Sequence, residues 1–207
     1  MEVRLLKIYI MRHGETDYNK RQTLQGHIDS HLNETGRSQA RGAAEYIREK
    51  SLNFDRIYVS HLDRAQETAE IVSGRKRCDF FVDDRMIELD YGEDIDGKCL
   101  TELDEATMAF LNDPIHVEPP EGVEKIPHLM ERVRSFVKEI AREEKDEQIL
   151  IVTHGETIRA FFACIDDLEV PGNEIWEMPI DNCDIFCVDC QNQKFSDPVR
   201  VRSAAAC

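Results

Sequence analysis

No apolar run in this chain approaches the roughly 20 residues that a membrane-spanning helix needs, and the longest ones have the length of strands. Positive charge is also scarce. Lys and Arg number 26 against 42 Asp and Glu, giving a formal net charge of −16 and a pI of about 4.8. That balance argues against nucleic acid and anionic membrane as partners, since both are bound through a basic face. An anionic small molecule would have to be drawn in by a local basic pocket, against the overall field. The N-terminus lacks a secretory h-region and a small-residue cleavage site. Met1-Glu2-Val3-Arg4-Leu5-Leu6 runs straight into the first strand, so a cytoplasmic protein is expected. The seven cysteines, an odd number scattered along the chain, fit reduced thiols better than a disulfide framework. Cys183, Cys187 and Cys190 form the one cluster. In a strand around 185–189 the first two share a face and the third lies on the other. A zinc site would need a fourth ligand, so buried or semi-buried thiols are expected there. Low-complexity segments are absent.

What remains is the composition of a soluble globular protein, 41% hydrophobic and 33% charged. At 207 residues it is read as a single domain, 1–207, with a capping excursion at about 83–126 that is too short for a core of its own. One stretch organises the rest. Ile8-Tyr9-Ile10-Met11 is a short apolar run that ends in Arg12-His13-Gly14-Glu15-Thr16. The second half repeats the device, Ile149-Leu150-Ile151-Val152-Thr153 running into His154-Gly155-Glu156-Thr157. In an open α/β sheet, ligands bind just beyond the carboxyl ends of strands. Two buried strands ending in His-Gly are therefore read as two histidines facing one pocket.

In chain order, 15–32 is a polar loop too long for an ordinary strand-helix connection, containing Asn19, Gln25, Gly26 and His27. Asn33 or Thr35 caps a helix to about Lys50, with Ala40, Ala43, Ala44 and Ile47 as its apolar stripe. A strand at 56–59 ends at Ser60, and the helix after it holds Arg64 in its first turn. An arginine there opposes the helix dipole, which suggests an anion shared between the guanidinium and the helix N-terminus. A surface pairing with Glu67 is the alternative. A short strand follows at 80–82, then an amphipathic helix over 98–111 ending at Asn112-Asp113-Pro114. Pro127 opens a long helix with Leu129, Val133, Phe136, Val137 and Ile140 on one face, its charged end at 141–147 being solvated. A strand at 148–153, a helix from Glu156 to about Cys164 and a strand at 185–188 complete the chain. Strands alternating with helices imply an α/β three-layer sandwich, a mostly parallel sheet flanked by helices, with the excursion over the strands' carboxyl ends.

Arg12 and His13, and His154, lie at strand ends, Arg64 lies just inside the helix after another, and Glu88 comes from the excursion above them. Two arginines, two histidines and a carboxylate around an anion-sized gap suit phosphoryl transfer. Arginine forks match phosphate oxygens, and fixed donors can meet the transferred charge without a metal. A neutral imidazole can attack phosphorus, and a carboxyl group can protonate the leaving oxygen and then activate water. Taken singly, each histidine reads as a hydrogen-bonded structural residue and Glu88 as a solvated carboxylate; together they point to catalysis. Metal binding by the histidines is opposed by the adjacent arginines, which would repel a cation.

Arg12-His13-Gly14-Glu15-Thr16, with Asn19, Gln25-Gly26, Leu32 and Gly36 downstream, resembles the opening signature of the histidine phosphatase superfamily, phosphoglycerate mutase-like branch. Ser60-His61-Leu62-Asp63-Arg64-Ala65-Gln66-Glu67-Thr68-Ala69, Glu88-Leu89-Asp90-Tyr91-Gly92 and Thr153-His154-Gly155 resemble its later motifs, in order. The resemblance implies a phosphohistidine nucleophile at His13, with Arg12, Arg64 and His154 binding the phosphoryl group. It implies Glu88 as general acid and base, Asn19, Gln25, Gly26 and Gly155 on the substrate side, and no metal or other cofactor. Two departures stand out. The third motif usually continues with a tryptophan and an acidic residue, whereas here Gly92 is followed by Glu93-Asp94-Ile95-Asp96. The fourth commonly has a second glycine where this chain has Glu156. The expected partner is a small phosphate ester, with a monomer or a homodimer both left open. Only Arg85, Lys98 and weakly His116 supply positive charge between Asp83 and Glu124, which favours hydrolysis over a phosphoglycerate mutase; a phosphate-binding regulatory module is the non-enzymatic alternative. Substrate choice is expected to lie in the acidic excursion around Glu88, and Gly14 is expected to let the chain turn away close to the phosphate.

Overall fold

The computed structural model describes residues 5–142, 147–166 and 173–203. Its strands are β1 (Leu6–Arg12), β2 (Arg56–Val59), β3 (Phe81–Val82), β4 (Glu147–Thr153), β5 (Ile185–Gln191), β6 (Lys194–Phe195) and β7 (Val199–Arg202). They form one sheet in the order β3-β2-β4-β1-β5-β6, with β7 also paired to β5. β3, β2, β4 and β1 are parallel neighbours, and β5 returns antiparallel to β1 with β6 and β7 antiparallel to it. The α/β sheet is thus mostly parallel, as expected. Its antiparallel edge, including two short strands, goes beyond the sequence reading.

Alternation along β1 explains its burial on both sides. Ile8 and Ile10 join one apolar cluster while Tyr9 and Met11 join the other. The first cluster is closed by α5 (Ile126–Arg142) and α6 (Gly155–Ile165), the second by α2 (Glu34–Glu49) and α3 (Asp63–Ser73). The α5 stripe Leu129, Met130, Val133, Phe136, Val137 and Ile140 recurs at three- and four-residue spacing, and each of these side chains is buried. Every such residue contributes about 1.5–3 kcal/mol by leaving water. Ala141 is buried as well, so the solvated end begins beyond it; 143–146 lie outside the described residues, and Glu147 opens β4, paired with Arg56 at 2.7 Å. Asn33 caps α2 by accepting from Gly36 N at 2.8 Å.

The helix expected over 98–111 is shorter. A 3-10 turn occupies Leu100–Glu102, and α4 (Glu105–Asn112) starts where the Asp104 side chain accepts from Thr107 N at 2.8 Å. An N-cap aspartate sets the boundary against the apolar pattern, which continues through Leu100 and Leu103. From the 83–126 segment, Met86, Leu89, Tyr91, Ile95, Phe110 and Val123 are buried in the same cluster as α5 and α6. A four-residue helix α1 (Asp17–Lys20) lies inside the long loop, and α7 (Asn173–Trp176) precedes β5. No helix among the described residues is long and apolar enough to cross a membrane. Cys183 and Cys187 lie in one apolar cluster and Cys190 in the other, Cys183 and Cys190 buried and Cys187 half-buried.

Candidate active site

The register of β1 and β4 pairs Arg12 with Thr153. One step farther, the chains bring His13 beside His154, with ring centroids 5.2 Å apart and His13 N donating to Thr153 O at 2.9 Å. Both rings are buried, at 2% and 0% exposure. The two strand-His-Gly units therefore do meet.

Each imidazole has a legible orientation. His13 Nδ1 lies 2.7 Å from the Gly14 carbonyl, which can only accept, so Nδ1 carries the proton and Nε2 keeps its lone pair. Burial pulls the His13 pKa well below 6.5, and Arg64 and Arg12 pull it further against the Gly14 hydrogen bond. The ring is neutral at pH 7 and nucleophilic at Nε2. His154 Nε2 pairs with the Ser60 hydroxyl at 2.8 Å, and its Nδ1 has no partner among the described residues. Its pKa too lies well below 6.5, through burial first and then Arg64, His13 and Arg12.

Arg64, at 0% exposure, is the largest surprise for a residue in the first turn of a helix. It does not pair with Glu67. Its Nη1 donates to Ile28 O at 2.7 Å and its Nη2 to Gly26 O at 2.9 Å and Gln25 O at 3.1 Å. Glu67 is taken instead by Arg37, at 2.7 Å. Burial lowers the Arg64 pKa to about 10, so it remains a cation at neutral pH. Arg12 donates Nη1 to Ile180 O at 2.7 Å. The Nε atoms of both arginines are buried without a partner among the described residues, as is Gln25 Nε2. Gln25 Oε1 accepts from the Ser30 hydroxyl at 2.8 Å.

Glu88 sits on the N-terminus of α6. Its Oε1 accepts from the backbone amides of Leu89 at 3.0 Å, Glu156 at 3.1 Å and Thr157 at 3.2 Å. With Oε1 so crowded, Oε2 is the oxygen better placed to exchange a proton. Behind the loop, Arg132 donates to the carbonyls of Arg85, Ile87 and Glu88 at 2.8, 2.7 and 3.0 Å and grips Glu124 with two bonds of 2.9 Å.

A cavity of about 230 Å³ opens here, lined by Arg12, His13, Asn19, Thr23, Leu24, Gln25, Glu88, Tyr91, Gly155, Glu156 and Arg159. Of the expected residues, Arg64 and His154 lie behind this wall beside His13, and Gly26 is absent from it. Gly26 instead passes against the Glu88 loop, where an added Cβ would come 2.4 Å from Leu89 O, and its carbonyl anchors Arg64. Gly14 likewise serves packing: an added Cβ would come 2.6 Å from Gly36 O on α2. Sequence reasoning passed over Ser60 as the partner of His154, Arg132 behind Glu88, and Arg159. Arg159 pairs with Glu156 at 2.8 Å, a spacing of three along a helix that could have been noticed. The excursion contributes Glu88 and Tyr91 to the wall, and a second carboxylate, Glu156, comes from α6. Among the described residues, one group of His, Cys, Asp and Glu side chains is close enough to share an ion: His31, Asp63 and Glu67, with no cysteine in it. Arg77 already pairs with Asp63 and Arg37 with Glu67.

The pattern of the histidine phosphatase superfamily (branch 1) matches residues 8–197. The chain is 33% identical over 165 residues to phosphoglycerate mutase-like protein 4 of Arabidopsis thaliana, covering 78% of this chain and 71% of that one. Its fold superposes on the Bacillus stearothermophilus protein YhfR with a TM-score of 0.82 at 28% identity, covering 93% and 95% of the two chains. A mycobacterial glucosyl-3-phosphoglycerate phosphatase solved with VO3 gives 0.75 at 29% identity, covering 89% and 92%.

Proposed function

The chain belongs to branch 1 of the histidine phosphatase superfamily, a family of phosphoryl-transfer enzymes, and from that premise we propose that it hydrolyses a small phosphomonoester through phosphorylated His13, without a metal. The observation that carries this reading is a set of buried nitrogens without partners among the described residues, Arg12 Nε, Arg64 Nε, Gln25 Nε2 and, where Ser60 donates to Nε2, His154 Nδ1, beside a neutral imidazole. A phosphoryl group bound at His13 would offer acceptor oxygens to such donors, and buried donors left unpaired are otherwise costly.

In the proposed first step, the Nε2 lone pair of His13 forms an N–P bond as the bond from phosphorus to the leaving oxygen breaks. Glu88, as the carboxylic acid, gives that oxygen its proton. Nδ1 keeps its proton and goes on donating it to the Gly14 carbonyl, which stabilises the positive charge of the phosphorylated ring. In the second step Glu88 takes a proton from water, the hydroxide oxygen attacks phosphorus, the N–P bond breaks and inorganic phosphate leaves. His13 and Glu88 are then as they began. The cationic donors meet the charge of the phosphoryl oxygens throughout.

Hydrolysis is favoured over mutase chemistry by what the wall offers beyond the phosphoryl group. Its remaining cation, Arg159, is already paired with Glu156. Arg85 is tied to Asp83 and Glu139, His116 to Asp113, and Lys98 is not among the residues lining the cavity, so none extends a basic surface over a second anionic group. The test is turnover of a generic aryl phosphate with and without chelator, alongside His13→Ala. Wild-type turnover should persist with chelator and the variant should lose about 10⁴-fold or more. Equal turnover by the variant, or full loss with chelator, would sink the mechanism. Efficient interconversion of phosphoglycerates in a coupled assay primed with the bisphosphate would reassign the protein as a mutase.

A further inference from the structure

The departure of this chain from its family at position 156 has a structural consequence for substrate choice. Glu156 follows Gly155 at the start of α6, and its side chain lines the same cavity as His13 and Glu88. Its backbone amide donates to the Glu88 carboxylate, so the two acidic residues line the cavity side by side. Arg159, four residues on from Gly155, offers Nη1 to Glu156 Oε1 at 2.8 Å and Nη2 to Met178 O at 3.0 Å. That cation is therefore held in place and neutralised. Both side chains are mostly covered, at 22% and 16% exposure, so solvent screens them weakly. The local field is visible in its neighbours. Burial raises the Glu156 pKa above its ordinary 4.5, with Arg159 opposing and Glu88 adding to the rise. Burial raises the Tyr91 phenol well above 10, with Glu156 and then Glu88 adding to it.

Resting on the hydrolase reading above, we propose that Glu156, held by Arg159, is the specificity-determining residue of this pocket and selects phosphomonoesters whose leaving group carries an ammonium. Its carboxylate pairs with that ammonium across the short distance from the ester oxygen. A leaving group bearing a second anion would instead be placed beside Glu156 and Glu88, with Arg12 taken by the phosphoryl group, Arg159 by Glu156, and no other Lys or Arg lining the cavity. Like charges brought together in a covered site discriminate strongly. Where the family commonly has glycine at this position, no such filter would exist.

The experiment compares O-phosphoethanolamine, glycerol 1-phosphate and 3-phosphoglycerate as substrates for the wild type, Glu156→Gln and Glu156→Asp. The wild type should prefer them in that order by kcat/KM. Glu156→Gln should lower the ratio of the first to the third by roughly tenfold or more, and Glu156→Asp should keep its direction. A ratio unchanged within about twofold in Glu156→Gln, or a wild type that prefers 3-phosphoglycerate, would overturn the proposal. Binding of the same esters to His13→Ala, with and without Glu156→Gln, is measured by calorimetry and does not depend on turnover. No turnover of any ester with charge-selective binding retained would overturn the hydrolase reading alone; binding indifferent to the charge at 156 would overturn the filter.

Discussion

Replacing Arg132 by methionine should destabilise the fold by about 3–5 kcal/mol and, separately, remove most of the turnover. The guanidinium spends its five N–H groups on five acceptors: Glu124 Oε1 and Oε2 at 2.9 Å each, and the carbonyls of Arg85, Ile87 and Glu88 at 2.8, 2.7 and 3.0 Å. Glu124 is only 7% exposed and Arg132 13%, so the variant leaves a covered carboxylate without its main partner. His128, at 2.6 Å from Glu124 but itself 67% exposed, compensates only in part. The double variant Arg132→Met with Glu124→Gln removes the stranded charge and should recover about half of the lost stability. It should not recover kcat, because the carbonyls around Glu88 still lack the donor that holds their loop. Acidity supplies a second handle. Burial pushes the Glu124 pKa up, but the hydrogen bonds and charge of Arg132 outweigh it and leave the carboxyl below its ordinary 4.5. A depressed acid contributes stability above 4.5 and loses it as pH falls through the folded-state value, so the gap between wild type and Arg132→Met should narrow below pH 4.5. Urea midpoints across pH and steady-state kcat on an aryl phosphate measure both halves. A single variant within about 1 kcal/mol of wild type, or a double variant that regains kcat along with stability, would refute the reasoning.

Ring NMR of selectively labelled histidine should find His13 and His154 neutral at pH 6.5, since burial and the arginines hold both pKa values well below that point. Either ring half-protonated at or above 6.5 would contradict the assignment of His13 as a ready nucleophile. The same depression means the unfolded chain binds more protons just below 6.5, so stability should decline as pH falls from 6.5, and a rise there would contradict it. Ser60→Ala strips the fully buried His154 Nε2 of its partner and should lower kcat/KM by about 5- to 150-fold, the equivalent of about 1–3 kcal/mol. Unaltered kinetics would show that Ser60 does not orient the ring.

The parts of this molecule that could be read from the chain are those set by local pattern. β1 and β4 announced themselves as apolar runs cut off by His-Gly, and once they pair in parallel register the two histidines are neighbours by necessity. α2 and α5 were legible from a cap and from an apolar stripe. α4 was overextended because Leu100 and Leu103 continue the spacing past the Asp104 cap. β6 and β7 escaped notice because they are short edge strands, and Val199 at 58% exposure gives no buried alternation to follow. In the site, each residue at a strand end was found from sequence, whereas its supports were not. Arg132 reaches carbonyls 44 to 47 residues away, and Ser60 meets His154 across 94. Such contacts depend on topology and leave no local signal. Arg64 shows the limit from the other side: the pattern flagged its unfavourable place at a helix start, and only the three loop carbonyls explain how it is buried there.

The central claim is that His13 carries the phosphoryl group, and rapid quenching tests it most directly. Enzyme mixed with a labelled aryl phosphate and stopped in alkali should retain label that is stable to base and lost in acid, on the peptide containing His13. His13→Ala should retain none. Label on another residue, or label of the same character in His13→Ala, would contradict the account.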